Sequence, residues 1–366
     1  MTTDQELIKR TFELAEKGRG FTSPNPIVGT VIVKNGEIIA EGWHEKFGCD
    51  HAERMALRKA GKDAAGATLY VNLEPCDFEG KTPPCTDAII EAGISKVVVS
   101  MVDPNPRVSG KGIEILRNAG IEVVSGILQE EAEELNRGFI KYMKEDRPWI
   151  TLKMALTTDG YIGDATGKSK WITSDKALKY VRNARSKHDG VLVGLGTVLK
   201  DDPSLLPDDR DGYIPYRIVF DENLMIPYKA KLVNGEYTNR TIIVTGEEGK
   251  QKRWNEFQKR HVNILKAEKE KMGWLDLDDA FRELADNGIT SVYCEGGGRL
   301  AGSLVDSGLV DELQVFIAPK ILGEGIKSFD GMKRTLDEAI KLEWDHVEKF
   351  GPDILLKGRL ARCLQE

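Results

Sequence analysis

Three short motifs in the first hundred residues contain the side chains of a metal site. They are His51-Ala52-Glu53, Pro75-Cys76 and Pro83-Pro84-Cys85, so one imidazole and two thiols lie within 35 residues of chain. A catalytic zinc ion takes three protein ligands and keeps a fourth position for water, and this set has that composition. Any fold of this chain must therefore bring three separated segments to one point.

Glu53 is the candidate proton carrier of this site. Zinc acidifies its bound water into a nucleophile near neutral pH, and a nearby carboxyl that is not a ligand can move protons. Residues two apart do not share a helix face, so His51 and Glu53 can meet at one site only at a helix entrance. Pro84 before Cys85 suits the first turn of another helix, whose dipole favours a thiolate. The site is expected between two helix N-termini.

Core burial is the alternative role for each of these ligands taken singly, since free cysteines are often simply buried. The ordered combination of His-x-Glu with two Pro-Cys motifs favours a catalytic zinc site instead. A closed structural zinc site would need a fourth ligand, for which Cys49 is the nearby candidate. A redox or packing role is the other interpretation of Cys49.

The alternation of strand-like and helix-like stretches predicts an α/β protein with two domains. A length of 366 residues exceeds the usual size of one compact domain. The first strand is expected over Ile27–Val33, and an amphipathic run predicts a closing helix over Gln129–Met143. Charged residues and Pro148 then interrupt the periodicity, which places the domain boundary so that the domains are residues 1–146 and 147–366.

One stretch of the second domain has no clear periodicity. Residues Gly246–Lys271 are highly charged, and we predict a surface excursion without assigned function.

Charge and composition favour small-molecule ligands in a cytoplasmic protein. Of the net charge of −7, residues 1–146 carry −6, from 18 Lys and Arg against 24 Asp and Glu. A nucleic-acid partner would require a positive stripe, so none is expected. The sequence has no long apolar run and no signal-peptide pattern, so no membrane partner is expected either. Five cysteines favour metal binding or burial over a disulfide framework.

Several motifs of the first domain resemble the family of bifunctional riboflavin-biosynthesis deaminase–reductases. Eight residues separate Cys76 from Cys85, whereas the nucleotide and tRNA deaminases of the same superfamily have two. The resemblance also covers these motifs: Pro24-Asn25-Pro26-Ile27-Val28-Gly29, Gly42-Trp43-His44, His51-Ala52-Glu53, Leu73-Glu74-Pro75-Cys76, Gly80-Lys81-Thr82-Pro83-Pro84-Cys85 and Asp103-Pro104-Asn105-Pro106.

This resemblance implies a cytidine-deaminase-like three-layer domain that binds zinc. Its substrate would be 2,5-diamino-6-ribosylamino-4(3H)-pyrimidinone 5′-phosphate, which loses the 2-amino group of the ring by hydrolysis. The implied metal ligands are His51, Cys76 and Cys85, and the implied catalytic residue is Glu53.

The resemblance also implies a set of substrate-binding residues in this domain: Asn25, His44, Lys81, Thr82, Asp103 and Asn105. A lysine and a hydroxyl suit a phosphate, and amide side chains suit the edge of a pyrimidinone. Turn formation is the alternative role for the asparagines, because Asn beside Pro is a strong turn signal. The family usually has Ser-His after the first zinc cysteine, whereas this chain has Asp77-Phe78-Glu79.

Motifs of the second domain resemble the reductase half of the same family. They are Lys153-Met154-Ala155, Thr158-Asp159-Gly160, Trp171-Ile172-Thr173, the run from Gly194 to Pro203 and Glu295-Gly296-Gly297-Gly298. The resemblance implies a dihydrofolate-reductase-like fold. It also implies that NADPH delivers hydride to C1′ of 5-amino-6-(5-phosphoribosylamino)uracil and so forms the ribitylamino product.

The implied residues of the reductase half fall into two groups. The cofactor-binding positions are Lys153, Ala155, Trp171, Thr173, Gly194, Thr197, Asp201, Gly296, Gly297 and Gly298. The substrate-binding positions are Ser169, Arg185, Leu205 and Glu295. Glycines after strands let backbone amides approach a pyrophosphate, but they are also common in turns. Core packing is the alternative for Trp171, and a solvated helix position is the alternative for Arg185.

One segment of the second domain departs from the family pattern. The family usually follows Asp-Pro-x-Leu with Thr-Val-Arg, whereas this chain continues with Leu206, Pro207 and Asp208. An acid thus occupies the place of a phosphate-binding arginine. Either Arg210 reaches into the site, or the reductase has altered specificity.

Three functional hypotheses follow from the sequence. The first is the bifunctional enzyme, acting on small-molecule pyrimidine nucleotides with zinc and NADPH, as a homo-oligomer (a dimer or tetramer). The second keeps the deaminase and gives the reductase half an altered specificity or a structural role. The third, an RNA-binding deaminase, is disfavoured by the acidic first domain and by the cysteine spacing.

Overall fold

The computed structural model divides into two compact units, an N-terminal unit of Met1–Asp146 and a C-terminal unit of Arg147–Glu366. The residues it describes are 3–78, 83–106, 108–246 and 250–360. No helix within these described ranges combines the length and the apolarity needed to cross a membrane.

The N-terminal unit is a sheet with helices on both faces. Its strands are β1 (Gly29–Lys34), β2 (Glu37–Trp43), β3 (Thr68–Leu73), β4 (Lys96–Met101) and β5 (Glu122–Ser125). Its helices are α1 (Asp4–Glu16), α2 (Ala52–Ala60), α3 (Cys85–Glu91), α4 (Lys111–Asn118), α5 (Gln129–Leu135) and α6 (Arg137–Glu145). The strand order is β2-β1-β3-β4-β5, with β1 antiparallel to both neighbours and β3, β4 and β5 parallel.

The alternation of side chains along the strands creates two cores in this unit. Val31, Tyr70 and Val98 pack with residues of α1 on one face of the sheet. Their strand neighbours point to the opposite face, because successive residues of a strand alternate. There they join a larger cluster with α2, α3 and α4, which includes Ile32, Leu69, Val71, Val97, Val99, Ile89 and Leu116. The unit therefore has three layers.

The predicted closing helix over Gln129–Met143 is wrong in its continuity, because Asn136 separates α5 from α6. The buried Asn136 side chain accepts a hydrogen bond from the Ile27 amide at 3.0 Å and donates one to the Ile27 carbonyl at 3.1 Å. The Asn72 side chain donates to the same carbonyl at 3.0 Å. The amide and carbonyl of Ile27 are thus hydrogen-bonded to side chains and not to a neighbouring strand. As a result, β1 begins at Gly29, two residues after the predicted start.

The C-terminal unit is built around a larger sheet. Its strands are β6 (Trp149–Thr157), β7 (Tyr161–Asp164), β8 (Gly190–Gly194), β9 (Tyr216–Phe220), β10 (Thr241–Thr245), β11 (Asn263–Lys266), β12 (Ser291–Cys294), β13 (Glu312–Ala318), β14 (Gly325–Lys327), β15 (Leu342–Phe350) and β16 (Asp353–Leu360). Its helices are α7 (Asp175–Arg185), α8 (Leu195–Asp201), α9 (Lys231–Asn234), α10 (Gln251–Lys259), α11 (Leu277–Asp286) and α12 (Gly298–Asp306).

The strand order of this sheet is β11-β10-β9-β8-β12-β6-β13-β16-β15. The strands from β11 to β13 are parallel, whereas β16 and β15 are antiparallel. The carboxyl ends of β6, β8 and β12 therefore lie at one edge. In open α/β sheets this edge is where ligands bind.

The predicted surface excursion over Gly246–Lys271 is wrong. This segment contains α10 and β11, and β11 extends the sheet by pairing with β10. Phe257 of α10 is fully buried, so a few apolar side chains among many charges are enough to dock the helix. Residues 247–249 lie outside the described ranges.

We expect Asn136→Ala to destabilise the N-terminal unit by about 2 kcal/mol, because it leaves the buried backbone of Ile27 without two hydrogen bonds. Urea unfolding, followed by amide exchange of peptides from residues 1–146, measures this change. Asn118→Ala removes an exposed asparagine and should change the stability by less than about 0.5 kcal/mol. Equal stabilities of the two variants would contradict the assignment.

Candidate functional site

Two helices of the N-terminal unit begin beside each other. His51 is the N-cap residue of α2, and Cys85 is the first residue of α3, directly after Pro84. The backbone of α2 lies so close to β2 that a Cβ at Gly42 would come within 2.3 Å of the Ala52 carbonyl oxygen. His51 and Cys85 thus lie at two helix N-termini, as expected.

Backbone hydrogen bonds join the two cysteine segments. Cys76 follows the end of β3, and its carbonyl accepts from the amides of Cys85 at 3.1 Å and Thr86 at 3.2 Å. The Cys85 amide also lies 3.3 Å from Cys76 Sγ. These bonds hold the second thiol beside the first, although eight residues separate the two cysteines in the chain.

The three predicted ligands converge. His51 Nδ1 lies 3.5 Å from Cys76 Sγ and 3.3 Å from Cys85 Sγ, and the three ligand atoms all lie within 4.8 Å of one another. Such separations suit a tetrahedral zinc ion, whose bonds are about 2.3 Å to sulfur and about 2.0 Å to nitrogen. Cys49 is exposed and is not part of this group of described residues. The donor set fits a catalytic zinc ion with one position left for water.

Hydrogen bonding distinguishes the two thiols electrostatically. The pKa of the Cys76 thiol is lowered to about 5, because it accepts hydrogen bonds from Cys85 and His51. The same bond to Cys76, together with burial, raises the pKa of Cys85. The first negative charge therefore resides on Cys76, and a divalent cation would favour ionisation of both thiols.

The Glu53 side chain is only 3% exposed and lies next to the ligand group. Burial raises the pKa of its carboxyl above the ordinary value, and Cys85 is a hydrogen-bond neighbour. A carboxyl whose pKa is shifted toward neutrality can both accept and donate a proton.

A cavity of about 310 Å³ lies beside this group. The predicted substrate residues that line it are Asn25, His44, Asp103 and Asn105. Lys81 and Thr82 lie outside the described residues. Sequence reasoning missed other lining residues, namely Phe47, Phe78, Glu74, Phe139, Tyr142 and Met143. The amphipathic pattern of α6 was the available signal for the last three.

Hydrogen bonds orient the polar wall of the cavity. His44 Nδ1 lies 3.1 Å from the Asp50 carbonyl, so this nitrogen donates and the other ring nitrogen accepts from Asn25 Nδ2 at 3.3 Å. Burial lowers the pKa of His44, which favours this neutral form. Burial raises the pKa of Asp103 to about 6, and the nearby Glu74, Cys76 and Asp77 act in the same direction.

In the C-terminal unit, Arg185 and Glu295 form a buried ion pair. The guanidinium donates to both carboxylate oxygens at 2.6 and 2.9 Å, and also to the Leu206 carbonyl at 2.7 Å. Their side chains are only 13% and 12% exposed, so Arg185 is not a solvated helix residue. Burial lowers the pKa of Lys153 on β6, and the charge of Glu295 opposes this effect.

Two glycine segments meet at the carboxyl ends of β8 and β12. Gly194 is the N-cap residue of α8 and Gly297 that of α12, and among the described residues neither cap makes a side-chain hydrogen bond. A Cβ at Gly297 would lie 3.6 Å from Thr197 Oγ1. Backbone amides at helix N-termini can receive a phosphate group, so this arrangement is compatible with a dinucleotide.

The other predicted reductase residues differ in accessibility. Trp171 is 65% exposed, which excludes core packing. Leu205 is 2% exposed and belongs to a core cluster. Asp201 lies 3.6 Å from Lys170 Nζ. Thr173 and Gly298 are buried. Ala155, Ser169 and Gly296 are half-buried.

The departing segment does not contribute a free arginine. Asp208 pairs with Arg182 of α7 at 2.5 Å, and Arg210 pairs with Glu236 at 3.1 Å. Both pairs are substantially exposed. Arg210 therefore makes its own exposed ion pair in this structure.

The fold and the two sites define a zinc-dependent deaminase joined to a reductase. Residues 1–101 match the family model of the cytidine and deoxycytidylate deaminase zinc-binding region, and residues 148–356 match that of the RibD C-terminal domain. The expected cytidine-deaminase-like and dihydrofolate-reductase-like fold classes are thereby confirmed.

Full-length relatives agree with both matches. The riboflavin biosynthesis protein RibD of Aquifex aeolicus is 45% identical over 96% of this chain and 97% of its own length. RibD of Escherichia coli is 40% identical over 96% and 98%. The solved structure of Acinetobacter baumannii RibD superposes with a TM-score of 0.87 at 36% identity, covering 98% of this chain and 99% of that chain.

The chain belongs to the RibD family of bifunctional deaminase–reductases of riboflavin biosynthesis. Membership confirms zinc and NADPH as its cofactors.

We expect Cys76→Ser and Cys85→Ser each to lower the affinity for zinc at least about tenfold, because each removes a thiolate ligand. Metal analysis of purified protein after dialysis against a weak chelator measures the loss. Cys49→Ser is the matched control and should keep its zinc, because Cys49 lies outside the ligand group. Zinc loss in the control, or full retention in either ligand variant, would contradict the assignment.

Proposed function

We propose that the N-terminal unit hydrolyses the 2-amino group of 2,5-diamino-6-ribosylamino-4(3H)-pyrimidinone 5′-phosphate. The C-terminal unit then reduces 5-amino-6-(5-phosphoribosylamino)uracil to the ribitylamino product with NADPH. A solved structure from Thermotoga maritima supports this assignment. That protein is described as a diaminohydroxyphosphoribosylaminopyrimidine deaminase and 5-amino-6-(5-phosphoribosylamino)uracil reductase, is 41% identical and superposes with a TM-score of 0.86 over 98% of this chain and 99% of that chain.

The observation that carries the deaminase assignment is the buried Glu53 carboxyl beside the converged His51, Cys76 and Cys85. A zinc ion bound by these three side chains would supply acidified water as nucleophile. Glu53 would take one proton from the attacking water and pass it to the ring nitrogen. It would then take the second proton from the hydroxyl group newly formed on the ring carbon and give it to the amino group, which leaves as ammonia. Its raised pKa suits both steps.

The cavity residues orient the pyrimidinone in this proposal. Asn25, held by His44, and Asn105 offer hydrogen-bonding groups to the ring edge, and Asp103 accepts from an amino group. Lys81 and Thr82 would bind the phosphate. These roles follow the family pattern and the lining of the cavity.

In the reductase half, the carboxyl edge of the sheet binds the nucleotide. NADPH bound there would supply the hydride. The residues proposed to hold it are those at the two helix N-termini and along β6: Gly194, Thr197, Gly296, Gly297, Gly298, Lys153 and Ala155, with Trp171, Thr173 and Asp201. Arg185 and Glu295 form a fixed polar pair for the sugar phosphate, together with Ser169 and Leu205.

Small pyrimidine nucleotides are therefore the proposed partners of both units. We also keep the proposal of a homo-oligomer working in the cytoplasm. The described cysteines Cys49, Cys76, Cys85 and Cys294 form no disulfide, which is typical of a reducing compartment.

A second candidate function applies to the reductase half alone. The Asp208 carboxylate is paired with Arg182, and this acid favours a reductase of altered substrate specificity. A coupled assay separates the two candidates, because the first requires NADPH oxidation that begins only after deamination. Ammonia release without any NADPH oxidation would favour the second candidate.

We expect Glu53→Gln to retain about one zinc per chain and to lose ammonia release by about a hundredfold or more, because an amide cannot shuttle protons. Glu91→Gln removes an exposed carboxylate of α3 and should match the unmodified protein. Full activity of Glu53→Gln would rule out the shuttle.

We expect Arg185→Lys to slow NADPH oxidation roughly tenfold to a hundredfold, because lysine cannot make the bidentate bond to Glu295. Ammonia release should be unchanged, since that chemistry belongs to the other unit. Lys179→Gln, on the exposed side of the same helix, is the control. Unchanged NADPH oxidation in Arg185→Lys would remove Arg185 from the proposed site.

A further inference from the structure

Glu74 is a buried acid at the cavity that the proposed deaminase chemistry does not use. Its side chain is 3% exposed. One carboxylate oxygen accepts from the backbone amides of Asp103 at 3.0 Å and Gly110 at 2.9 Å, and the other from Ile113 at 3.2 Å. A single carboxylate therefore holds three backbone donors.

These three donors mark the two ends of one loop. Asp103 begins the loop and Gly110 ends it, and between them Asp103, Asn105 and Val108 line the cavity. Inside the loop, Asp103 Oδ1 accepts from the Asn105 amide at 2.8 Å, and the Asn105 carbonyl accepts from Val108 at 2.9 Å. These bonds hold Asp103, Asn105 and Val108 relative to one another, and Glu74 connects them to the end of β3.

The joint between β3 and α4 has no spare room. A Cβ at Gly112 would come within 2.1 Å of the Pro75 carbonyl oxygen and 3.3 Å of Glu74 Cγ. The Glu74 amide donates to the Met101 carbonyl at 3.0 Å, which also ties β3 to the end of β4. Cys76 is two residues further along, so one rigid joint positions a metal ligand and the loop together.

We propose that Glu74 is a positioning residue that holds Asp103 and Asn105 in register with the bound pyrimidinone. This inference rests on the proposed deaminase function. A carboxylate suits the task because it only accepts, has two oxygens, and faces the N-terminus of α4. A glutamine would keep one oxygen and turn an NH2 group toward a backbone donor.

Steady-state kinetics of Glu74→Gln test the proposal. We expect the KM for the diaminopyrimidinone phosphate to rise about tenfold, with kcat within about threefold of the unmodified value and one zinc retained per chain. Glu91→Gln is again the matched control. A role confined to stability would instead lower zinc content and kcat together without raising KM, and that result, like an unchanged KM, would overturn the proposal.

Amide hydrogen exchange provides a readout that does not depend on the substrate. Peptides covering residues 103–113 should exchange faster in Glu74→Gln, whereas peptides of β4 should not change. Unaltered exchange in the loop would overturn the proposal even if the unmodified chain released no ammonia. If the unmodified chain released no ammonia but the loop exchanged faster in Glu74→Gln, the proposed function would be rejected. The positioning role of Glu74 in the loop would still be supported.

Discussion

The Cys76 carbonyl is the acceptor on which the N-terminal site depends. It receives the amides of Cys85 and Thr86 and the Thr86 hydroxyl, so α3 begins at the end of β3. Closing the chain between the two cysteines costs entropy, and these bonds offset that cost. Without them, the second thiol would not be held near the first. Because α2 also begins there, His51 meets both thiols at the ends of two helices. The sheet thus positions the three segments that carry His51, Cys76 and Cys85.

The sequence predicted this convergence well because its signals are local. A Pro before Cys85 and a His-x-Glu pair at a helix entrance each have few structural interpretations. The break at Asn136 was not predictable in the same way. It depends on Ile27, 109 residues away along the chain, and no local pattern contains that partner. The long-range contact overrides an uninterrupted amphipathic pattern.

Other differences between sequence and structure have the same origin. The start of α1 is an exception, because the capping box of Thr3 and Glu6 is a local signal. By contrast, α10 and β11 occur in a segment dominated by charged residues. Phe257 of α10 packs into a hydrophobic core, and β11 pairs with the edge of β10. In the reductase half, glycine after a strand by itself indicates a turn more often than a cofactor site. Adjacency of β8 and β12 in the sheet, which is a property of topology, brings the two glycine segments together.

Glu53 and Glu74 show how one cavity can assign opposite tasks to two buried carboxyls. Burial raises the pKa of Glu53 more than His51, its own backbone amide and Cys85 lower it, so proton transfer becomes accessible. Glu74 is equally buried but receives three backbone amides, which satisfy an acceptor that never needs to donate. The two residues have the same type and the same burial, and they differ in the number of backbone amides that donate to the carboxylate. Carboxyls with few fixed donors are therefore the candidates for chemistry in such a site, whereas carboxyls held by several backbone amides define its geometry.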